Sequence, residues 1–225
     1  MTTASMTRND EELQHDVLAE LAWDAQVQPN EIGVAVSDGV ATLNGWLDSY
    51  ARKWAAERAA HRVRGVRAVA NNIQVRLTGS ADRTDAEIAL AATRGLEWDS
   101  YVPVERLDVT VSNGWLMLRG EVEWQYQKRA AERAVRRMSG VRGVTNLITV
   151  RPHPAPSRDD VAGRIHDALV RSAETDADLI SLEMVGDTVV LRGTVRSWSE
   201  RQAAERVAWS APGIAEVENQ IRVAA

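Results

Sequence analysis

The tetrapeptide Ala-Ala-Glu-Arg occurs at 55–58, 130–133 and 203–206, and this recurrence restricts the fold more than any other feature. The offsets, 75 and then 73 residues, also align its surroundings. Before each copy stands a Leu-x-Gly: Leu43 to Gly45, Leu118 to Gly120, Leu191 to Gly193. After each stands a Gly-apolar-x-x-Val-x-Asn-x-Ile-x-Val run, from Gly65 to Val75, Gly140 to Val150 and Gly213 to Val223 in this frame. A fixed period of this length means one supersecondary unit repeated, so the fold of one copy is the fold of all three.

Periodicity inside one copy predicts its elements. Apolar residues four apart (Leu13, Val17, Leu21; Ile88, Ala92, Leu96; Val161, Ile165, Leu169) predict a one-faced amphipathic helix. Alternation at Ile32, Val34, Val36, at Leu107, Val109, Val111 and at Ile180, Leu182, Met184 predicts a half-buried strand. Asp38-Gly39, Asn113-Gly114 and Gly186-Asp187 are hairpin dipeptides. A second strand, a helix carrying Ala-Ala-Glu-Arg and a third strand complete the unit. The expected fold is therefore α/β of the α+β sandwich type. It has three tandem α-β-β-α-β units, each a small mixed three-stranded sheet with two helices on one face. The boundaries fall at 9–77, 82–151 and 157–225, with linkers Leu77–Thr84 and the proline-rich Arg151–Arg158.

The run ending in Val-x-Asn-x-Ile-x-Val, the Leu-x-Gly strand end and the element order resemble the BON domain, the bacterial osmotically-inducible-protein and nodulation domain. The resemblance implies a non-enzymatic module. It also implies a phospholipid surface as the ligand commonly proposed for such domains, and an osmotic-stress or envelope context. Tandem members of that family carry a signal sequence. The first residues here show no basic start followed by an apolar core, so the expectation from this sequence is cytoplasmic, or periplasmic if the N-terminus is trimmed.

Several repeated residues read as scaffold. Asn71, Asn146 and Asn219 share the inward parity of the third strand and are expected to tie it to a nearby loop backbone. Gly45, Gly120 and Gly193 are expected to let the second helix settle on the sheet. In Ala-Ala-Glu-Arg, the alanines pack and the Glu and Arg face water. Trp23 and Trp98 occupy equivalent positions at the end of the first helix, which favours core packing for that pair.

Chemistry at a catalytic centre finds no support. His15, His61, His153 and His166 fall at unrelated positions and show no metal-ligand spacing, and the chain has no cysteine. No nucleophile elbow, P-loop or dinucleotide fingerprint is present. We therefore expect no catalytic residue, no metal and no cofactor. No apolar run approaches a membrane span.

The second helix is the repeated feature with an electrostatic bias. From Ser49 to Arg67 six basic residues (Arg52, Lys53, Arg58, Arg62, Arg64, Arg67) face one acid, Glu57. From Trp124 to Arg142 six (Lys128, Arg129, Arg133, Arg136, Arg137, Arg142) face Glu132. The third copy is neutral, with Arg201 and Arg206 against Glu200 and Glu205. Aromatic residues gather at the same helix starts: Trp46, Tyr50 and Trp54, then Trp124 and Tyr126, then Trp198. Trp and Tyr beside basic side chains is the composition of a membrane-surface contact. The expected lipid-binding set is Trp46, Tyr50, Arg52, Lys53, Trp54, Trp124, Tyr126, Lys128, Arg129, Arg133 and Trp198, with anionic phospholipid as partner. The alternative is a cytoplasmic stress-associated scaffold or homo-oligomer that binds a protein or small ligand between repeats. A net charge of −5 and the absence of a recognised motif argue against nucleic acid.

Overall fold

The computed structural model describes residues 9–27, 32–77, 79, 83–152, 161–172, 176–186 and 188–224. The first repeat runs α1 (Asp10–Trp23), β1 (Ile32–Ser37), β2 (Val40–Leu47), α2 (Tyr50–Arg62) and β3 (Ala68–Val75). The second runs α3 (Asp85–Trp98), β4 (Leu107–Ser112), β5 (Trp115–Val122), α4 (Gln125–Val135) and β6 (Gly143–Val150). The third runs α5 (Val161–Arg171), β7 (Ile180–Val185), β8 (Thr188–Val195), α6 (Trp198–Trp209) and a last strand in two pieces, β9 (Glu216–Asn219) and β10 (Arg222–Val223). Single 3-10 turns at Val104–Arg106 and Ala177–Leu179 lead into β4 and β7, an addition to the expected order. His153 and most of the proline-rich linker lie outside the described residues.

Each repeat has its own sheet with the second strand in the centre. β1–β2, β4–β5 and β7–β8 are antiparallel hairpins with identical register: Ile32 faces Gly45, Leu107 faces Gly120 and Ile180 faces Gly193. β6 lies parallel to β5, and β9 and β10 lie parallel to β8. The last strand stays hydrogen-bonded across its interruption, because Gln220 N–H donates to the Leu191 carbonyl. Within repeat two, and likewise within repeat three, the two helices pack on each other and on that repeat's own sheet, closing a core in each. Ile88, Leu96, Leu116, Leu118 and Ile148 fill one; Ile165, Leu169, Val189, Leu191 and Ile221 fill the other.

Contact density divides the chain into two compact units. One holds the described residues of Met1–Gly45, Ala55–Ile73 and Pro154–Ala225; the other holds those of Trp46–Trp54 and Gln74–His153.

The hairpin turns explain their own sequence. Asp38 and Gly39 both have positive φ, as do Asn113 and Gly114, which is the backbone of a type I′ turn. The first helix then grips that turn. Asp10 accepts from Asp38 and Gly39 N–H at 2.8 and 3.0 Å, and Asp85 accepts from Asn113 and Gly114 N–H, both at 2.8 Å.

Three expectations change. The repeated glycines serve the preceding backbone, not the helix. Gly120 (φ 131°) and Gly193 (φ 142°) lie so close to the Arg106 and Leu179 carbonyls that a β-carbon would collide with them. The repeated asparagines reach the second helix rather than a loop. Asn71, Asn146 and Asn219 donate to the Glu57, Glu132 and Glu205 carboxylates at 2.9, 3.2 and 3.1 Å. Each also accepts from the N–H two residues on, at 3.2 Å. The Glu of Ala-Ala-Glu-Arg is therefore half-buried as the asparagine's partner instead of facing water. Finally, Trp23 and Trp98 are 85% and 89% exposed, not core. The buried stripes end at Leu21 and Leu96. Two further residues turn a helix about 200°, which aims both indoles away from the sheet.

Candidate surface-binding site

Small side chains let the second helix lie close to its sheet. In α4, Ala130, Ala131 and Val135 are buried; in α2, Ala55, Ala56, Ala59 and Ala60 are. The start of α4 is fixed by Gln127, whose side-chain oxygen accepts from Glu123 and Trp124 N–H, both at 3.0 Å. That cap satisfies two donors that would otherwise be orphaned at the helix entrance and holds the first turn in place.

Three aromatic rings converge on this turn. Trp124 and Tyr126 stack with centroids 6.4 Å apart, and Tyr126 meets Tyr101 edge-on at 5.6 Å. Tyr101 also lines a groove of about 450 Å³ with Gly95, Trp98, Arg133 and Ala134. Trp98, Tyr101, Tyr126 and Arg133 are all exposed. Arg137 and Arg142 are exposed further along. Lys128 and Arg129 are half-buried, and burial holds the Lys128 ammonium below its ordinary value, with Glu132 opposing.

The first repeat deploys the same residue types differently. Trp46 is exposed at the end of β2, with the Arg76 guanidinium 5.7 Å from its ring centre. Tyr50 packs against the core of the second repeat. Trp54 is half-buried, and the Arg136 guanidinium lies 3.5 Å over its ring. Arg136 is only 9% exposed, so this cation is removed from the solvent face where its sequence position suggested it. Arg52 pairs with Asp48 at 3.1 Å, and Lys53 is half-buried. Arg62 bridges Glu20 at 2.7 Å and Asp24 at 2.8 Å. The bond from Arg62 holds the Asp24 carboxyl below the usual carboxylate range.

In the third repeat Trp198 is half-buried: its indole N–H donates to the Arg67 carbonyl and its ring meets His61. Of the expected lipid-binding residues, then, Trp124, Tyr126, Lys128, Arg129 and Arg133 gather on one helix of the second repeat. Trp54 and Trp198 are engaged elsewhere in the chain. Sequence reasoning missed Tyr101 and Trp98. Tyr101 follows α3 by sequence, 25 residues from Tyr126, and no period connects them. Trp98 was legible as repeated, but its phase beyond Leu96 was the better signal.

Among the described residues no helix is long and apolar enough to cross a membrane. The chain is 28% identical over 144 residues to Osmotically-inducible protein Y of Escherichia coli (strain K12), a match that covers 61% of this chain and 71% of that protein. Among solved structures it is similar to CdsD, a structural protein of the type III secretion system of Chlamydia trachomatis. That match has 13% identity and a TM-score of 0.26, and covers 95% of this chain and 92% of the other. The BON domain model matches residues 9–76, 84–152 and 157–225, so three consecutive copies fill nearly all of the chain, and the protein belongs to the BON domain family.

Proposed function

We propose that the protein is a non-enzymatic binding module that attaches peripherally to anionic phospholipid surfaces through the first turns of α4 in the second repeat. The observation that carries this reading is the aromatic row of half-buried Trp124 with exposed Tyr126 and Tyr101, with Arg133 and Trp98 beside it. Amphipathic rings seat at the headgroup level, and each nearby basic side chain adds about 1 kcal/mol of attraction to an anionic leaflet. The similarity to an osmotically inducible protein supports a stress context for this role.

Co-sedimentation with vesicles tests it. Binding is expected to vesicles containing phosphatidylglycerol and not to phosphatidylcholine alone, and to fall as salt rises. Tyr126→Ser combined with Arg133→Glu is expected to abolish it without loss of fold. Equal pelleting with both vesicle types, or an unchanged double variant, refutes the assignment. A stable oligomer with no vesicle binding would favour the scaffold role instead.

A further inference from the structure

His61 in α2, Arg136 just past α4 and Trp209 at the end of α6 occupy one repeated position, six residues after the first Ala of Ala-Ala-Glu-Arg. In two repeats that position closes on an indole belonging to another repeat. Arg136 covers Trp54, and the His61 ring lies 4.9 Å from the Trp198 ring, tilted by 50°. The Trp198 N–H is bonded to the Arg67 carbonyl, which anchors the start of α6 on the connection between α2 and β3 of the first repeat.

The two contacts differ in one chemical respect. A guanidinium keeps its charge at every physiological pH, whereas an imidazole does not. His61 Nδ1 is buried and has no hydrogen-bond partner. A proton there would create a buried N–H with no acceptor, beside a ring that already carries a cation. The Arg201 guanidinium lies 4.5 Å over Trp198. The other charges on the elements that meet at this point are Arg52, Lys53, Glu57, Arg58 and Arg62 on α2, Arg64 and Arg67 after it, and Glu205, Arg206 and Glu200 on α6, the last paired with Arg196. Glu57 favours a proton on His61, and the arginines oppose one.

We propose that the His61–Trp198 contact is a pH-operated latch, closed while the imidazole is neutral and released when it takes up a proton. The desolvated ring supports this, since burial pushes the His61 imidazole below its ordinary value against the pull of Glu57. The sign follows from linkage. A base whose pKa is lower when docked binds its proton preferentially when undocked. The contact is therefore complete above about pH 6.5 and weakens as pH falls through that value toward the docked pKa, by up to about tenfold per pH unit. The Arg136–Trp54 contact has no such dependence over that range.

NMR of the full chain provides the test. The indole N–H of Trp198, assigned through Trp198→Phe, reports the latch by its exchange protection relative to free tryptophan at the same pH. The imidazole C–H of His61, assigned through His61→Phe, reports the titration. The latch predicts a His61 midpoint below 6.5. It also predicts at least a fivefold loss of Trp198 protection between pH 7.5 and 5.0 while far-UV circular dichroism stays constant. His61→Phe should remove that pH dependence. A His61 midpoint at or above 6.5, protection that does not change, or a loss that accompanies general unfolding overturns the proposal. The wild-type titration decides the matter even if His61→Phe fails to fold.

Discussion

The stretches that contain α2 and α4, Ser49–Arg67 and Trp124–Arg142, carry six Lys and Arg residues each, yet the two helices present opposite surfaces. α2 spends its aromatic rings and part of its charge inside the molecule. Trp54 lies under Arg136, Tyr50 is packed on the second repeat's core, and Arg62 is bridged by two carboxylates of the first helix region. α4 turns Tyr126 and Arg133 outward, next to Tyr101 and Trp98. A helix's composition therefore does not define its surface. What the rest of the chain has already engaged decides what is left to meet a partner.

The largest test of this contrast is Trp54→Ala. Removing a ring that supports a buried guanidinium should cost about 3 kcal/mol, the low end for a Trp truncation, because Arg136 would then be buried without it. Tyr126→Ala, at an exposed ring of α4, should cost well under half of that in urea unfolding.

Next in size is Asn146→Ala. It removes the bonds to Lys128 and Glu132 and the acceptor for Ile148 N–H, and should cost about 2 kcal/mol. Asn71→Ala and Asn219→Ala should lose similar amounts, because this device is common to all repeats. A difference above about 1 kcal/mol among the three would show that the scaffold is not equally shared.

Arg133→Gln should weaken binding to anionic vesicles by about fivefold, corresponding to roughly 1 kcal/mol, with the melting temperature unchanged. Arg52→Gln, whose charge is already paired with Asp48, should have a smaller effect in the same assay. If the two variants are equal, the division of labour between the helices is wrong. The smallest effect belongs to Arg62→Gln. This pair is near the surface, so about 0.5 kcal/mol should be lost at neutral pH and less at high salt. The depressed Asp24 carboxyl gives that contribution its sign. It is present above the ordinary carboxylate pKa and disappears as pH falls through the lowered value.

The sequence revealed what is local or periodic. The strand register follows from alternation, the turns from Asp38-Gly39 and Asn113-Gly114, and the repeat from Ala-Ala-Glu-Arg. It revealed that Asn71 and its equivalents are hydrogen-bonded, but their partner is a Glu 14 residues upstream that looked like solvent-facing surface. The exposure of Trp98 was readable in its helical phase, whereas repetition suggested burial. The pairings that decide the candidate site were not readable. Arg62 with Glu20 and Asp24, Arg136 with Trp54, and Tyr101 with Tyr126 each join residues through space with no shared pattern along the chain.

The grip of Asp10 and Asp85 on the hairpin turns has a kinetic consequence. The carboxylate and its two N–H donors are only 28 and 29 residues apart in each case, so closing this loop carries a modest entropy cost. A first helix and hairpin can therefore join soon after both have left the ribosome, before the second helix of that repeat has emerged. In a chain of three modules of one fold, early local closure favours pairing within a copy over exchange of strands between copies, the misassembly to which tandem repeats are most exposed.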